Sequence, residues 1–188
     1  VASPVPQVGH IYGLGVAGYW GNTIEIEAVV HPLGNREKGA IHFNDTAGSM
    51  ARDSVTNASS VVRMITGKNL SDYDVHVNVV GGGNIDGPSA GAAITCAIIS
   101  ALTGKPLRQD IAVTGEISLS GRIKPVGGIA EKAFGAHQGG MKAILIPKQN
   151  ALDMGSEYMH MKVIPVDTIQ DILEHMLARK KQKMKGSK

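Results

Sequence analysis

The order of apolar and polar residues along the chain predicts strands and helices in alternation. Ile24, Ile26, Ala28 and Val30 recur at every second position, which is typical of a half-buried strand. Residues 11–16 are predicted to form a strand that pairs with it. By the same criteria, the other strands are predicted at 40–43, 75–80, 111–114, 117–119, 122–126, 143–146 and 163–166.

Four segments have the apolar spacing of helices. The first covers 48–65, and the second covers 88–102, which is small and apolar on nearly all sides and is therefore predicted to be buried. The third follows Gly128, and the fourth covers 168–177 with Thr168 as its cap. Strands and helices mixed in this order predict an α/β (α+β) fold, with mixed sheets packed by helices.

Length and composition indicate one globular domain. The chain has 188 residues, of which 43% are hydrophobic and 4% aromatic, so the core has to be built from aliphatic side chains. We expect a linker or mobile start at 1–8, one domain at 9–178 and a basic, disordered tail at 179–188. The tail holds six of the 19 basic residues, and the remainder has 13 basic and 16 acidic residues. Nucleic-acid contact through the tail and a solvated end without function are both open.

Cysteine usage and the chain start bear on the compartment. Cys96 is the only cysteine, so no internal disulfide can form, and its apolar neighbours predict a buried, unreactive thiol. No apolar run reaches the ~20 residues of a membrane span, and no signal peptide precedes Val1. We therefore expect a cytoplasmic protein. Because the chain begins with valine, we also expect a fragment or an excised domain, which leaves a membrane anchor in a missing segment open.

Two glycine motifs imitate well-known sites. Residues 13–18 read GLGVAG and match the dinucleotide-binding fingerprint GxGxxG, but that site needs a helix after the motif, and here an alternating strand follows. We interpret the segment as a strand with close backbone contacts and a turn at Gly18. Residues 87–91 read GPSAG and match the nucleophile elbow GxSxG of α/β-hydrolases. The chain is short for that fold, and its strands are not in the series that the fold requires.

Ser89 nevertheless has the surroundings of a nucleophile. Small neighbours would leave its hydroxyl exposed where a glycine-rich loop meets a helix, with Pro88 at the first helical position. Backbone N–H groups at this helix start, those of Gly87 and Ser89 included, would then be positioned to form an oxyanion hole. The alternative is an ordinary helix start with Ser89 as its cap, and the motif alone does not decide between the two.

A serine nucleophile needs a base, and Lys132 is a candidate. No histidine has an acidic neighbour at a spacing that would indicate a catalytic pair, and each is interpreted as a surface or core residue. On the third helix Ile129, Lys132, Ala133 and Ala136 share one face, so Lys132 points towards the core. Burial lowers the pKa of a lysine, and a neutral amine is a competent base. The alternative is a buried stem with the amine in water, and spacing alone leaves both interpretations open.

The segments around these residues resemble the proteolytic domain of Lon proteases. The resemblance is carried by DGPSAG at 86–91 and TGEISLSGRIKPVGGIAEKAFGAHQGGMKAILIPKQN at 114–150, and it extends more weakly over about 9–177. Ser89 and Lys132 fall on the family's catalytic serine and lysine. The resemblance therefore implies a serine endopeptidase with a Ser-Lys dyad, which degrades unfolded or regulatory proteins inside a ring-shaped chamber.

Further expectations follow from the resemblance alone. Thr114 falls on a threonine that hydrogen-bonds the catalytic lysine, and Asp86 falls on a position beside the serine, where it caps the helix or contacts the lysine. The family acts as a homohexamer joined to an ATPase module and serves protein quality control. This chain has no GxxxxGK[ST], so we expect no cofactor and no metal in it, and ATP only through such a module.

Some features leave alternatives open within the resemblance. Asn78 stands where the family often carries a second histidine, two residues after the position matched by His76, so no role is assigned to that pair. The short loop before Ser89 is similar to the LonB or LonC subtype. A non-catalytic Lon-like domain, as in RadA-type recombination proteins, is a second hypothesis, but such a domain lacks the dyad that Ser89 and Lys132 supply here.

Overall fold

The computed structural model describes residues 5–17, 19–34, 37–44, 48–81, 87–152 and 154–178, and for 48–56 and 87 the backbone alone. The first five strands along the chain are β1 His10–Ala17, β2 Trp20–Pro32, β3 Ile41–Phe43, β4 Tyr73–Val80 and β5 Ile111–Val113. They are followed by β6 Glu116–Ile117, β7 Ile123–Lys124, β8 Ala143–Pro147, β9 Glu157–Tyr158 and β10 Met161–Val166. Eight strands form one mixed sheet in the order β3-β4-β2-β1-β5-β8-β10-β9, and β6 pairs with β7 separately.

Five helices pack around this sheet in the described part of the chain. They are α1 Gly48–Thr66, α2 Gly91–Thr103, α3 Ile129–Gln138, α4 Lys148–Ala151 and α5 Ile169–Met176. Local chemistry explains their ends: Gly67 and Gly104 adopt positive φ after α1 and α2. At α5, Thr168 and Asp171 form a reciprocal capping box. The four helices predicted from the sequence are therefore present, close to their predicted limits.

Alternate residues of the central strands face two apolar layers. In β8, Ala143 and Leu145 belong to the cluster formed with α1, α2 and α5, whereas Ile144 and Ile146 belong to the cluster formed with α3. The parallel strands β5 and β10 flank β8, so the centre of the sheet is covered on both sides. Neighbouring residues on these strands consequently reach different helices.

The other half of the sheet has an open face. In β2, Ile24, Ile26 and Ala28 are buried, while the residues between them, Glu25 and Glu27, are exposed. This is the alternation that the sequence predicted, and β4 repeats it beside β2. Side chains on the outer face of β2, β3 and β4 can therefore meet one another in contact with solvent.

Several details differ from the sequence-based expectations. The strands predicted at 117–119 and 122–126 are reduced to two residues each, because the turn between them at Gly121 is tight. Helix α4 and strand β9 were not predicted, since four and two residues are too few to show a period. Of the linker or mobile start expected at 1–8, residues 1–4 lie outside the described residues, while Gln7 forms an isolated antiparallel bridge with Leu107. The tail 179–188 also lies outside the described residues, so its expected disorder stays a prediction.

The GLGVAG motif lies on a strand, as predicted. Gly13 and Gly15 are within β1, and β2 follows antiparallel to it, so no helix start is available to hold a pyrophosphate. A Cβ added to Gly15 would lie 2.5 Å from Cδ1 of Ile24, so the Ile24 side chain packs directly over this glycine. Gly18 lies outside the described residues. None of the described helices is both long and apolar enough to cross a bilayer.

Candidate active site

Ser89 lies where a short turn meets a helix, beside the end of a strand. It is part of a 3-10 turn, Gly87–Ala90, that leads directly into α2. The Gly115 N–H donates to the Ser89 carbonyl at 3.1 Å, and the Ala92 N–H donates to the Gly115 carbonyl at 3.1 Å. These bonds fasten the junction to the segment that follows β5.

The position of Ser89 corrects two expectations. The α-helix begins at Gly91 and not at Pro88, because the first turn is wound more tightly as a 3-10 turn. Ser89 is 5% exposed, so the expectation of an exposed hydroxyl is wrong for the chain by itself. The hydrogen bonds to Gly115 dock this turn against the segment after β5, a contact that the local motif does not encode.

Lys132 points from α3 into the protein. It is 0% exposed, and its Nζ atom is inaccessible to solvent. Ala133 and Ala136 on the same face are buried in the apolar cluster beneath α3, and Ile129 packs against that cluster. The helix phasing predicted this inward orientation. The alternative in which the amine reaches water is excluded.

Two glycines that the sequence analysis passed over let α3 approach β2. A Cβ added to Gly135 would lie 2.2 Å from the Gly21 carbonyl carbon, and one added to Gly21 would lie 1.7 Å from the Glu131 carbonyl oxygen. The two backbones therefore touch, and Lys132 lies in the same helical turn. A glycine inside a helix and another inside a strand were the available signals, since both positions disfavour glycine.

Thr114 continues β5 by one residue. Its N–H donates to the Leu145 carbonyl at 3.1 Å, so the pairing with β8 extends to this position. Ile111 and Val113 face the α2 side and Ala112 faces the α3 side, so the alternation turns Thr114 towards α3. The residue is 0% exposed, and its hydroxyl has no hydrogen-bond partner within the part of the chain that the structure describes.

The sheet register brings these residues to one end of the central strands. In the parallel pair β1–β5, Gly13 lies opposite Val113, and in the antiparallel pair β1–β2, Gly15 lies opposite Asn22. Along the strand direction, Asn22 of β2 is therefore nearly level with the residues that follow Val113. The two positions are separated by two strand spacings, or about 10 Å across the sheet. Since α3 touches β2 at Gly21, Lys132, Thr114 and Ser89 approach the same end of β5 from three directions.

Buried polar side chains are concentrated at this end of β5. The buried polar or charged residues of the described ranges are Ser89, Thr95, Ser100, Gln109, Thr114 and Lys132, and Lys132 is the one charged residue type among them. Thr95, Ser100 and Gln109 each hydrogen-bond to nearby backbone groups and so support local structure. The other three belong to the same end of β5, an arrangement typical of a functional site.

Two predicted site residues are described less fully than Ser89, Thr114 and Lys132. Asp86 lies outside the described residues, and Gly87 is described by its backbone alone. The roles of Asp86 beside the serine and of the Gly87 and Ser89 N–H groups in an oxyanion hole therefore stay predictions. Glu116 of the TGE motif is half-buried in β6, opposite Lys124 of β7.

Comparison with known proteins gives one consistent result. Residues 2–179 match the family model of the Lon protease (S16) C-terminal proteolytic domain. The archaeal Lon protease of Archaeoglobus fulgidus is 37% identical over 182 residues, which are 94% of this chain and 29% of that protein. Lon protease 2 of Bacillus subtilis is 38% identical over 187 residues, which are 92% of this chain and 33% of that protein.

The chain spans about a third or less of the length of the curated relatives it matches. Lon protease 1 of Thermus thermophilus shows the same relation, with 37% identity over 183 residues that are 94% of this chain and 22% of that protein. The match covers Ser89, Thr114 and Lys132 together with nearly the whole described fold. The chain belongs to the Lon protease (S16) C-terminal proteolytic domain family.

Proposed function

We propose that this chain is the peptide-cleaving part of a Lon-type serine endopeptidase, in which Ser89 is the nucleophile and Lys132 its general base. The observation that carries the proposal is the complete burial of the Lys132 amine at the end of the sheet where Ser89 also lies. Burial disfavours the ammonium form of a lysine, and only a neutral amine can accept the proton of a serine hydroxyl.

The proposed reaction has the two stages of covalent catalysis. The Ser89 Oγ attacks the peptide carbonyl while Lys132 accepts the hydroxyl proton, and Lys132 then donates that proton to the leaving amine. Water subsequently hydrolyses the acyl-enzyme with Lys132 again as the base. Backbone N–H groups of Gly87 and Ser89 would stabilise the tetrahedral oxyanion, as such donors do in other acyl-transfer enzymes.

Thr114 is proposed to orient the neutral amine. Its buried hydroxyl can accept a hydrogen bond from Lys132 Nζ without adding a charge, so the amine would keep its lone pair directed at the serine. The hydrogen bond that the Gly115 N–H donates to the Ser89 carbonyl supports this assignment, because it fixes the serine beside the residue that follows Thr114.

Cleavage of casein by the wild type and two alanine variants tests the dyad. Ser89→Ala should abolish cleavage, and Lys132→Ala should lower it by about 100-fold or more, since a general base contributes at least that much. Wild-type activity should rise with pH as the lysine loses its proton. A peptidyl boronate should label Ser89 in the wild type and spare Ser89→Ala. Cleavage at the wild-type rate in either variant, with the unfolding temperature unchanged, would exclude the dyad.

The surroundings of the domain are part of the same proposal. We infer a homohexameric ring that encloses the sites and takes unfolded or damaged proteins from an ATPase module in the full-length protein, in the cytoplasm. Two facts support this assembly. The chain belongs to the Lon family, and each relative has a large part of its length that this chain does not span. The low exposure of Ser89 fits a domain that works slowly without its motor.

Nucleic-acid binding is the second candidate, favoured by the six basic residues within 179–188. If those residues hold DNA through its phosphates, affinity should fall steeply with salt and should vanish when 179–188 are deleted. DNA affinity that survives the deletion would exclude the tail as the binding segment.

A further inference from the structure

The outer face of the sheet at its β3 edge carries three side chains with metal-binding atoms. In β4, Val75 and Val77 are buried, whereas Asp74 is half-buried and His76 exposed on the opposite face. Strand β3 runs parallel to β4 with His42 directly opposite His76. Two imidazoles and a carboxylate are thereby collected on one surface, away from the residues assigned to the peptidase reaction.

The three side chains already lie close together. The rings of His42 and His76 are stacked with centroids 4.7 Å apart and an interplanar angle of 19°. His42 Nε2 lies 3.6 Å from Asp74 Oδ1. One ligand atom from each residue can be chosen so that all lie within 4.8 Å of one another. Ligand atoms around tetrahedral zinc are about 3.3 Å apart, so side-chain rotations that bring these atoms closer by about 1.5 Å would close the site.

We propose that His42, Asp74 and His76 bind a divalent transition-metal ion, with zinc as the best match and water as the remaining ligand. Two imidazole nitrogens and one carboxylate oxygen suit zinc and its neighbours, whereas calcium and magnesium require sites made almost wholly of oxygen. The proposal does not depend on the peptidase function, because none of the three residues takes part in it.

The surrounding backbone supports this ligand set. The Ala40 N–H donates to Asp74 Oδ1 at 3.3 Å, a contact that helps to hold the carboxylate near β3. His31 on β2 lies opposite Asp74, but its ring centroid is 6.2 Å from that of His76, so it is left outside the set. The ion would join the three-residue edge strand β3 to β4. Metal binding should therefore stabilise the fold.

No metal was expected from the sequence, and the fold gives the reason that the sequence carries no signal for this proposed site. His42 and Asp74 are far apart along the chain, and only the parallel pairing of β3 with β4 places them side by side. Asp74 and His76 by themselves are an ordinary alternation on a half-exposed strand.

Calorimetric titration of the metal-free 188-residue chain with zinc chloride tests the proposal. The wild type should bind one zinc ion, and its unfolding temperature should rise with zinc. His42→Ala and His76→Ala should each weaken binding by about tenfold or more, since even partners outside the ligand set are worth that much. Asp74→Asn should also weaken zinc binding. Cobalt in place of zinc should give the absorption of a low-symmetry site in the wild type.

His160→Asn is the matched control. His160 is an exposed histidine at the opposite edge of the same sheet, in a positive-φ position that asparagine tolerates, so zinc affinity should be unchanged. Thermal unfolding of each variant without metal identifies any variant that is misfolded. The zinc affinities of the folded ligand variants then test the proposal. The proposal is overturned if zinc produces no binding heat, if His42→Ala and His76→Ala bind as the wild type does, or if magnesium binds equally well.

Discussion

At the scale of single residues, the chain holds a lysine amine away from solvent. Lys132 Nζ is inaccessible, and Ala133, Gly135 and Ala136 of the same helix are also buried. Transfer of a polar group into such surroundings costs folding free energy, and the cost is tolerated where the group has a chemical task. Stability and activity should therefore respond in opposite directions when the amine is removed.

Replacement of Lys132 by methionine tests this opposition. Methionine keeps much of the volume and removes the amine, so the free energy of unfolding should rise by about 1–3 kcal/mol while casein cleavage is lost. Denaturant unfolding of both proteins measures the difference. Lys162→Met, which changes an exposed strand lysine, should shift stability by less than about 0.5 kcal/mol. A Lys132→Met protein clearly less stable than wild type would contradict the argument.

At the scale of elements, the placement of α3 on β2 decides where the lysine lies. Gly21 and Gly135 remove the side chains that would separate the two backbones. Because protein interiors are close-packed, a single methyl group at this contact has to displace the helix or the strand. The site geometry therefore depends on residues that have no chemistry of their own.

Gly135→Ala should lower the free energy of unfolding by about 1–3 kcal/mol through overpacking, and it should also lower casein cleavage by shifting Lys132. Gly127→Ala is the control, because a Cβ there meets no heavy atom within 4 Å. Thermal unfolding and cleavage rates of the two variants, measured side by side, check the prediction. Equal stability of the two would show that the α3–β2 contact is looser than the structure indicates.

The capping box of α5 gives a pH-dependent prediction at the same scale. Backbone hydrogen bonds from Asp167 and Thr168 to the Asp171 carboxylate hold the pKa of Asp171 below its ordinary value, the bond from Asp167 being the larger cause. Such a group stabilises the fold above its unfolded-state pKa, and the stabilisation is lost as the pH falls through the folded-state pKa.

Asp171→Asn should therefore lower the free energy of unfolding by about 0.3–1 kcal/mol at neutral pH, the usual contribution of a carboxylate charge in the first turn of a helix, and the difference from wild type should shrink in acid. Unfolding temperatures measured across the acid range check both parts. Glu174→Gln, an exposed acid on the same helix, serves as the control and should change little. If the difference in unfolding temperature between Asp171→Asn and the wild type stays constant down to strongly acidic pH, the carboxylate is not its source.

At the scale of the whole molecule, apolar side chains remain on the surface of the single chain. Tyr19 is 93% exposed, Trp20 66% and Leu152 85%. Isolated exposed apolar residues are ordinary, but Tyr19 and Trp20 are adjacent, and Trp20 lies against Phe134 with ring centroids 5.7 Å apart. A ring assembly would cover such surfaces.

Sedimentation should accordingly reveal hexamers that dissociate on dilution. The double change Tyr19→Ser and Trp20→Ser should move the distribution towards smaller species, because an aromatic contact area would be lost. A single chain's mass at every concentration would contradict the proposed ring.

The elements and the orientation of Lys132 followed from the sequence by itself. Periodicity and caps are local properties, so β2, α1, α2, α3 and α5 were predictable, and the phasing of one helix turned Lys132 inward. The specific motifs around Ser89 and Lys132 identified the family before any contact was known. Boundaries of very short elements escaped prediction because a period needs several residues.

Only the tertiary structure decided which distant residues meet. The docking of Ser89 against Gly115, the contact of Gly21 with Gly135, and the group of His42, Asp74 and His76 all depend on strand order and register. These properties arise from pairings between segments far apart in the chain, and the local pattern of apolar residues is compatible with many such pairings. The sequence thus determined that Lys132 lies on the apolar face of a helix and that Ser89 lies close to a helix start. The tertiary structure decided that the lysine amine is buried and that the two residues approach the same strand end.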